Sequence, residues 1–155
     1  MYNMKIIFTI VLFAVTFYSE AQTKSETVKY INDKLKTHSS IFSGYYEIEV
    51  SEYGNMTIHR YDKNEFSDQN DDLHFIDMFD FIDINIKPSI VKSNKKEYYN
   101  ITFECKDSDN CISESLLHNS KKRRANKIEI GITNKKIYQS LLDKFIYLKK
   151  ISSKI

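Results

Sequence analysis

The fold of this chain is decided by residues 45–61, which read Tyr45-Tyr46-Glu47-Ile48-Glu49-Val50-Ser51-Glu52-Tyr53-Gly54-Asn55-Met56-Thr57-Ile58-His59-Arg60-Tyr61. Residue types alternate on both sides of Gly54-Asn55, a dipeptide that suits a turn with positive φ. We therefore predict a β-hairpin with a two-residue turn at this point. Such a turn would place Glu49 opposite Arg60.

Residues 73–86 form the next apolar stretch, and their pattern is ambiguous. Asp77, Asp80 and Asp83 interrupt the apolar residues with a period of three. A helix has a period of 3.6 residues and a strand a period of 2. The density of Phe and Ile favours a strand with a bulge or bend near Asp80, and a helix is the alternative.

Further strands are predicted on the C-terminal side. Residues 86–91 continue the sheet past Pro88, which belongs at a sheet edge because it has no N–H. Residues 98–104 form a strand that leads to the cysteines, with residues 111–117 as its returning partner in a hairpin. Residues 127–132 alternate as a strand should.

Two helices flank the strands. The first, over about residues 25–36, starts at a capping-box pattern and has a narrow apolar stripe. The second is long, is capped by Asn134, and has an apolar face wide enough to cover a sheet or plug a barrel. The members of this face are Ile137, Tyr138, Leu141, Leu142, Phe145, Leu148 and Ile151.

The order of elements predicts an α+β fold. It consists of an N-terminal helix, a curved antiparallel sheet or partly open barrel of six to seven strands, and a C-terminal helix packed on it. This order resembles a pleckstrin-homology-like barrel, in which a C-terminal helix plugs the open end. The resemblance is architectural and implies no activity.

The first 21 residues resemble an export signal. Lys5 supplies a positive charge, residues 6–18 are an apolar run of 13, and Ser19-Glu20-Ala21 puts small residues where a signal peptidase cleaves. The run is short for a permanent span of ~30 Å of hydrocarbon, although an uncleaved anchor is the alternative. We predict a signal peptide over residues 1–21, a single domain without a stable membrane span over residues 22–155, and a periplasmic or secreted location.

The end of this segment carries a second resemblance. Ala21-Gln22-Thr23, in a chain rich in Ile, Lys and Asn, resembles the start of the small exported, uncharacterised proteins of Bacteroidota such as flavobacteria. This resemblance implies a compartment and leaves the activity open.

Cys105 and Cys111 are the two cysteines of the chain. In an oxidising compartment we expect them to form a structural disulfide that closes a short loop. A redox-active pair usually has Cys-X-X-Cys spacing, and that spacing is absent here.

Charge is unevenly distributed, although the net charge is only +2. Residues 62–83 hold eight acids and one lysine, whereas residues 119–136 hold seven bases and one glutamate. Residues 119–124 are predicted to form a basic loop. Its charges are interpreted as a solvated surface, with an anion-contact patch formed by Lys121, Lys122, Arg123 and Arg124 as the alternative. No stacking aromatic lies among these four bases, so the pattern does not indicate nucleic acid as a partner.

Neither a catalytic site nor a cofactor site is predicted. The sequence has no zinc-protease motif, no nucleophile elbow and no glycine-rich phosphate loop. The histidines are therefore interpreted as ordinary surface or half-buried residues. They are His38, His59, His74 and His118.

Two groups of residues rich in acids partly resemble metal-ligand sets, and neither is assigned as a metal site. Residues 62–68 begin like a calcium loop but place Phe66 where a ligand belongs. His74, Asp77, Asp80 and Asp83 would gather on a helix but separate to two faces on a strand.

The leading hypothesis is an exported, non-enzymatic domain that binds an unknown protein or envelope component. The first alternative is a small secreted enzyme or enzyme inhibitor whose site residues converge only in the folded chain. The second is a cation-binding module that uses the acidic residues 62–83.

Overall fold

The computed structural model describes residues 23–39, 44–62, 72–93, 96–107, 110–116 and 122–152. These residues form an α+β fold with two helices and eight antiparallel strands, as the sequence predicts in class. The helices are α1 (23–38) and α2 (Lys135–Ser152). The strands are β1 (Gly44–Val50), β2 (Asn55–Asp62), β3 (Asp72–Asp80), β4 (Ile84–Ser93), β5 (Lys96–Cys105), β6 (Ile112–Leu116), β7 (Lys122–Ala125) and β8 (Lys127–Ile132).

The strands form two sheets, and neither sheet closes into a barrel among the described residues. The large sheet has the order β1-β2-β3-β6-β7, and the small sheet has the order β4-β5-β8. The number of strands exceeds the predicted six to seven. One addition is β7, because residues 122–125 pair with β6 where the sequence predicts a basic loop.

A single turn of 3₁₀ helix, Phe81–Asp83, carries the chain from the large sheet to the small one. Asp80 caps this turn, because its Oδ1 accepts a hydrogen bond from the N–H of Ile82 at 2.9 Å. The predicted strand with an interruption near Asp80 is therefore confirmed, and the helical alternative is wrong. The period of three in the sequence spans two strands and the turn between them.

The hairpin of β1 and β2 is confirmed, but its register is not the predicted one. The loop has three residues, closed by Ser51 N–H donating to Asn55 O at 2.9 Å, and Gly54 takes φ +85° as its last residue. Arg60 therefore lies opposite Tyr46 and not opposite Glu49. Since the register shift is an odd number of residues, Arg60 faces the interior side of the sheet and not the exterior side.

The predicted hairpin between residues 98–104 and 111–117 is wrong. Strand β5 pairs with β4 and β8 in the small sheet, whereas β6 pairs with β3 and β7 in the large sheet. The disulfide between Cys105 and Cys111, whose Cα atoms are 5.9 Å apart, therefore connects the two sheets. The disulfide forms between the two predicted cysteines, but it joins the two sheets and not the two strands of one hairpin.

Both helices contribute to one core between the sheets. In α1, Ile31 and Leu35 are fully buried. In α2, Phe145 packs edge-on against Phe103 of β5 with ring centroids 5.1 Å apart. Within the described residues, neither helix has the length and apolarity required to cross a membrane.

The predicted cap and apolar face of α2 are confirmed. Asn134 Oδ1 accepts hydrogen bonds from the N–H groups of Lys136 and Ile137 at 2.9 and 3.2 Å. Five members of the predicted face are buried: Tyr138, Leu141, Leu142, Phe145 and Leu148.

Helix α1 also covers the outer edge of the large sheet. The side-chain amide of Asn32 donates to Ile48 O at 3.0 Å, and its Oδ1 accepts from Ile48 N–H at 2.7 Å. One side chain thus makes both hydrogen bonds that a further strand would make to this residue of β1.

Candidate functional site: a charged cleft between the sheets

A row of charged side chains crosses the interior side of the large sheet. Asp77 of β3 lies directly opposite Ile58 of β2, and Glu114 of β6 lies directly opposite Asp77. Arg123 of β7 lies opposite Glu114, which extends the row to the edge of the sheet. Directly opposite residues in antiparallel strands share a face, so these charges face the same side as the apolar core.

These side chains line a cleft of about 170 Å³ between the two sheets. Strand β8 of the small sheet forms the other wall. The residues around the cleft are Tyr46, Ile58, Arg60, Asp77, Glu114, Arg123, Lys127, Ile128, Glu129 and Ile130. The cleft therefore brings together three basic and three acidic residues from five strands.

Asp77 is the most perturbed group in the cleft. Burial, reinforced by the negative charge of Glu114, raises the pKa of Asp77 to about 6, while Arg60 and Arg123 oppose the rise. Its Oδ1 is buried and has no hydrogen-bond partner among the described residues. A carboxylate in this position is costly when ionised, because the interior solvates charge poorly.

Glu114 is the neighbour that carries a direct counter-charge. Its side chain is only 11% exposed, and it accepts a charge-assisted hydrogen bond from Nε of Arg123. Arg123 is 67% exposed and reaches Glu114 from the rim of the cleft. The acid is thus internal and its base is at the surface.

Tyr46 closes the cleft on the side of β1. Its hydroxyl donates to the backbone oxygen of Glu129 at 3.5 Å and also hydrogen-bonds to Arg60. Burial raises the pKa of Tyr46, and the positive charge of Arg60 acts in the opposite direction. These contacts link the two walls of the cleft, one from each sheet.

The size and charge of the cleft determine which ligands fit. Pockets for drug-sized ligands typically enclose about 300–1,000 Å³ and are mostly apolar. This cleft is smaller and charged, so it suits a single charged group better than a cofactor. At the rim Arg123 is 67% exposed, and Lys127, 57% exposed, lies 3.4 Å from Glu129, which is 39% exposed.

The structure separates the residues of the predicted anion-contact patch. Arg123 faces the cleft, whereas Lys122 and Arg124, its neighbours in the same strand, project from the opposite face of the sheet. Arg124 Nη1 donates to Asn110 O at 3.5 Å. Lys121 lies outside the described residues.

The two histidines whose side chains are described, His38 and His59, do not contribute to the cleft. His59 is on the outer face of the large sheet, and its Nε2 lies 3.6 Å from Glu49 Oε1, beyond a normal hydrogen bond. No carboxylate contacts His38 among the described residues. The side chain of His74 and the whole of His118 lie outside the part of the chain that is described.

The acids of the second candidate group, Asp77, Asp80 and Asp83, do not form a metal site. Among the described residues, no three side chains of His, Cys, Asp or Glu are close enough to hold one ion. Asp77 faces the cleft, while Asp80 caps the 3₁₀ turn and Asp83 lies within it. Most of the calcium-like segment, residues 63–68, lies outside the described residues.

Sequence reasoning missed Tyr46, Glu114 and Glu129 as members of one site. A signal was present for Glu114, because an acid stands between Ile112 and Leu116 at a position where strand alternation predicts an apolar residue. The pairing of β3 with β6, which brings Glu114 beside Asp77, has no local signature.

The chain was also compared with known proteins. No family model, no curated protein and no solved structure matches it.

Proposed function

We propose that this chain is an exported, non-enzymatic binding domain that holds an acidic group of a protein partner at the rim of the inter-sheet cleft. The supporting observation is the exposed cation Arg123 beside a small cleft in which Asp77 and Glu114 lie deeper. Lys127 adds a second exposed cation on β8, where its Nζ lies 3.4 Å from Glu129 Oε1. The acidic group is a carboxylate of a side chain or of a chain terminus. Arginine and lysine both recognise carboxylates, and arginine does so with fixed geometry.

Two features support export. Residues 1–21 carry the charge, apolar run and small residues of a signal peptide. Cys105 and Cys111 form a disulfide, which is a bond typical of oxidising compartments. Mass spectrometry of the protein from its source tests this part: a mature chain starting at Gln22 supports export, and an intact Met1 or Met4 contradicts it.

Binding is tested with two matched double variants. Arg123→Gln with Lys127→Gln removes two positive charges from the cleft rim. Lys122→Gln with Arg124→Gln removes two positive charges from the opposite face of the same sheet. Each purified variant and the wild type is immobilised and exposed to envelope extract, and bound proteins are quantified by mass spectrometry.

We expect at least one envelope protein to be enriched equally by the wild type and by the Lys122/Arg124 variant. The Arg123/Lys127 variant should enrich the same protein at least tenfold less. Binding of that protein should also weaken as salt rises, because rim charges are screened by ions. Equal loss with both variants, or loss with neither, would show that the cleft is not the binding site. Circular dichroism spectra of all three proteins exclude unfolding as the cause.

A second candidate, a small hydrolase, is favoured by the carboxyl pair Asp77 and Glu114. Asp77 has a pKa raised to about 6 and could donate a proton near neutral pH. Hydrolysis of peptide or glycan probes that Asp77→Asn and Glu114→Gln both abolish would favour this candidate. No turnover by the wild type would leave the binding domain as the sole proposal for the cleft.

The likeness to pleckstrin-homology-like barrels and to exported Bacteroidota proteins stays a prediction. For the cation-binding alternative, the described residues contain no cluster of three or more His, Cys, Asp or Glu side chains that could hold an ion. Calorimetric titration of the protein with calcium is the direct test of that alternative.

A further inference from the structure

Strand β4 is an edge strand with an unusual distribution of protective features. It pairs with β5 on one side, and no described strand pairs with its other side. Exposed edges invite pairing with another chain, and proteins usually block them with prolines, charges or covering elements. The two halves of β4 differ in this respect.

Its N-terminal half, residues 84–88, is blocked. Lys149 of α2 donates a hydrogen bond to the backbone oxygen of Ile84. Pro88 confirms the predicted edge position, and it offers no N–H to an incoming strand.

In its C-terminal half, residues 89–93, no described residue blocks the outer backbone groups of Ile90 or Lys92. Ile90 is 51% exposed and Val91 is 47% exposed, and Tyr98, opposite Val91 on β5, is 44% exposed. Lys92 is the one charge in this half, and its Nζ lies 3.5 Å from Glu97 Oε1. The lysine that would normally repel an incoming strand therefore has a counter-charge beside it.

The direction of the backbone groups follows from one hydrogen bond. Lys106 N–H donates to Asp83 O at 2.8 Å, so Ile84 and Cys105 are a non-hydrogen-bonded pair. Odd-numbered residues of β4 therefore bond to β5. Even-numbered residues, including Ile90 and Lys92, direct their N–H and C=O groups to the outer edge.

We propose that two copies of this chain pair antiparallel along the outer edges of β4, with a two-fold axis at Ile90. Each Ile90 donates to and accepts from Ile90 of the other copy. The N–H of each Lys92 donates to Pro88 O of the other copy. The product is a continuous sheet in the order β8-β5-β4-β4-β5-β8.

This register suits the sequence of β4. Pro88 is used only as an acceptor, so its missing N–H costs no donor. The two Lys92 residues are about 14 Å apart, at ~3.4 Å per residue, which exceeds the Debye length of about 8 Å at physiological salt. A register centred on Lys92 would put the lysines together, and one centred on Pro88 would lose hydrogen bonds at the centre.

Two cysteine variants test the register. In a hydrogen-bonded antiparallel pair the Cα atoms are about 5.5 Å apart, within disulfide range. Under mild oxidation Ile90→Cys should therefore form a covalent dimer on a non-reducing gel. Lys87→Cys is the matched control, since the two copies of this residue would be about 20 Å apart at ~3.4 Å per residue.

A proline variant tests whether backbone pairing drives association. Ile90→Pro removes an N–H group that points to the outer edge, and it removes no hydrogen bond to β5. The monomeric variant should therefore keep the circular dichroism spectrum and the melting temperature of the wild type. In sedimentation velocity over a concentration series, the wild type should form a dimer and Ile90→Pro should weaken it at least tenfold. Val91→Thr, which keeps every N–H, should weaken it far less.

Three results would overturn the proposal. They are a wild-type protein that stays monomeric at millimolar concentration, equal cross-linking of Ile90→Cys and Lys87→Cys, and a dimer unaffected by Ile90→Pro in a folded protein. This inference is independent of the proposed function, because β4 contributes no residue to the inter-sheet cleft.

Discussion

On the interior side of the large sheet, two neighbouring rows of side chains differ completely in character. One row contains Met56 and Phe79, which are directly opposite each other and are 0% and 4% exposed. The next row, two residues away on the same strands, contains Ile58, Asp77 and Glu114. The strand alternation is the same in both rows, so secondary structure alone does not account for the difference.

The comparison indicates which part of the sheet serves stability. Met56 and Phe79 gain hydrophobic free energy from burial and need no further partner. Asp77 has a buried oxygen without a partner among the described residues, and Glu114 depends on a single arginine. Replacing a buried ion pair with apolar residues is often neutral or stabilising, so the charged row is poorly explained by folding.

The largest effect is expected in the apolar row. Phe79→Ala removes a ring that packs against Phe81 and Phe103, with centroids 6.1 and 5.5 Å away. Loss of the ring and the resulting cavity should lower the free energy of unfolding by about 4 kcal/mol. Urea denaturation measures this change. A cost below ~0.5 kcal/mol, the range of surface substitutions, would mean that Phe79 is not part of the core.

A change of opposite sign is expected two residues away in the same strand. Asp77→Asn keeps the shape of the side chain and removes the charge that burial disfavours. Because the pKa of Asp77 is raised from 3.8 to about 6, the variant should be more stable than the wild type at pH 7.5, by about 3 kcal/mol. A destabilised Asp77→Asn variant at pH 7.5 would contradict a buried environment that disfavours the charged form of Asp77.

The pH dependence of the unfolding free energy tests the sign of the Asp77→Asn effect independently. The folded protein holds the Asp77 proton up to pH about 6, whereas the unfolded chain releases it near pH 3.8. The contribution of Asp77 to stability is therefore complete below pH 3.8 and is lost as the pH rises through about 6. The difference between the wild type and Asp77→Asn should accordingly shrink from pH 7.5 to pH 4, as measured by thermal unfolding at each pH.

Helix α2 and the turn between the two sheets were more predictable from the sequence than the charged row. Helix α2, its Asn134 cap and the interruption at Asp80 all follow from local patterns within one or two turns of chain. The position of Arg60 did not, because a loop of three residues in place of two moved it to the other face. Glu114 reaches Asp77 only through the pairing of β3 with β6, which no local pattern encodes.

The smallest effect is expected at the edge of the charged row, where Arg123 and Arg124 provide a comparison within one strand. Arg123→Ala leaves the carboxylate of Glu114, 11% exposed, without its counter-charge. Because Arg123 itself is 67% exposed and partly screened by water, the cost in unfolding free energy should be only about 1 kcal/mol at pH 7.5. Arg124→Ala removes the same charge from the opposite face and should change stability by less than ~0.5 kcal/mol. Equal values for the two variants would mean that Glu114 does not depend on Arg123, and the charged row would then end at β6.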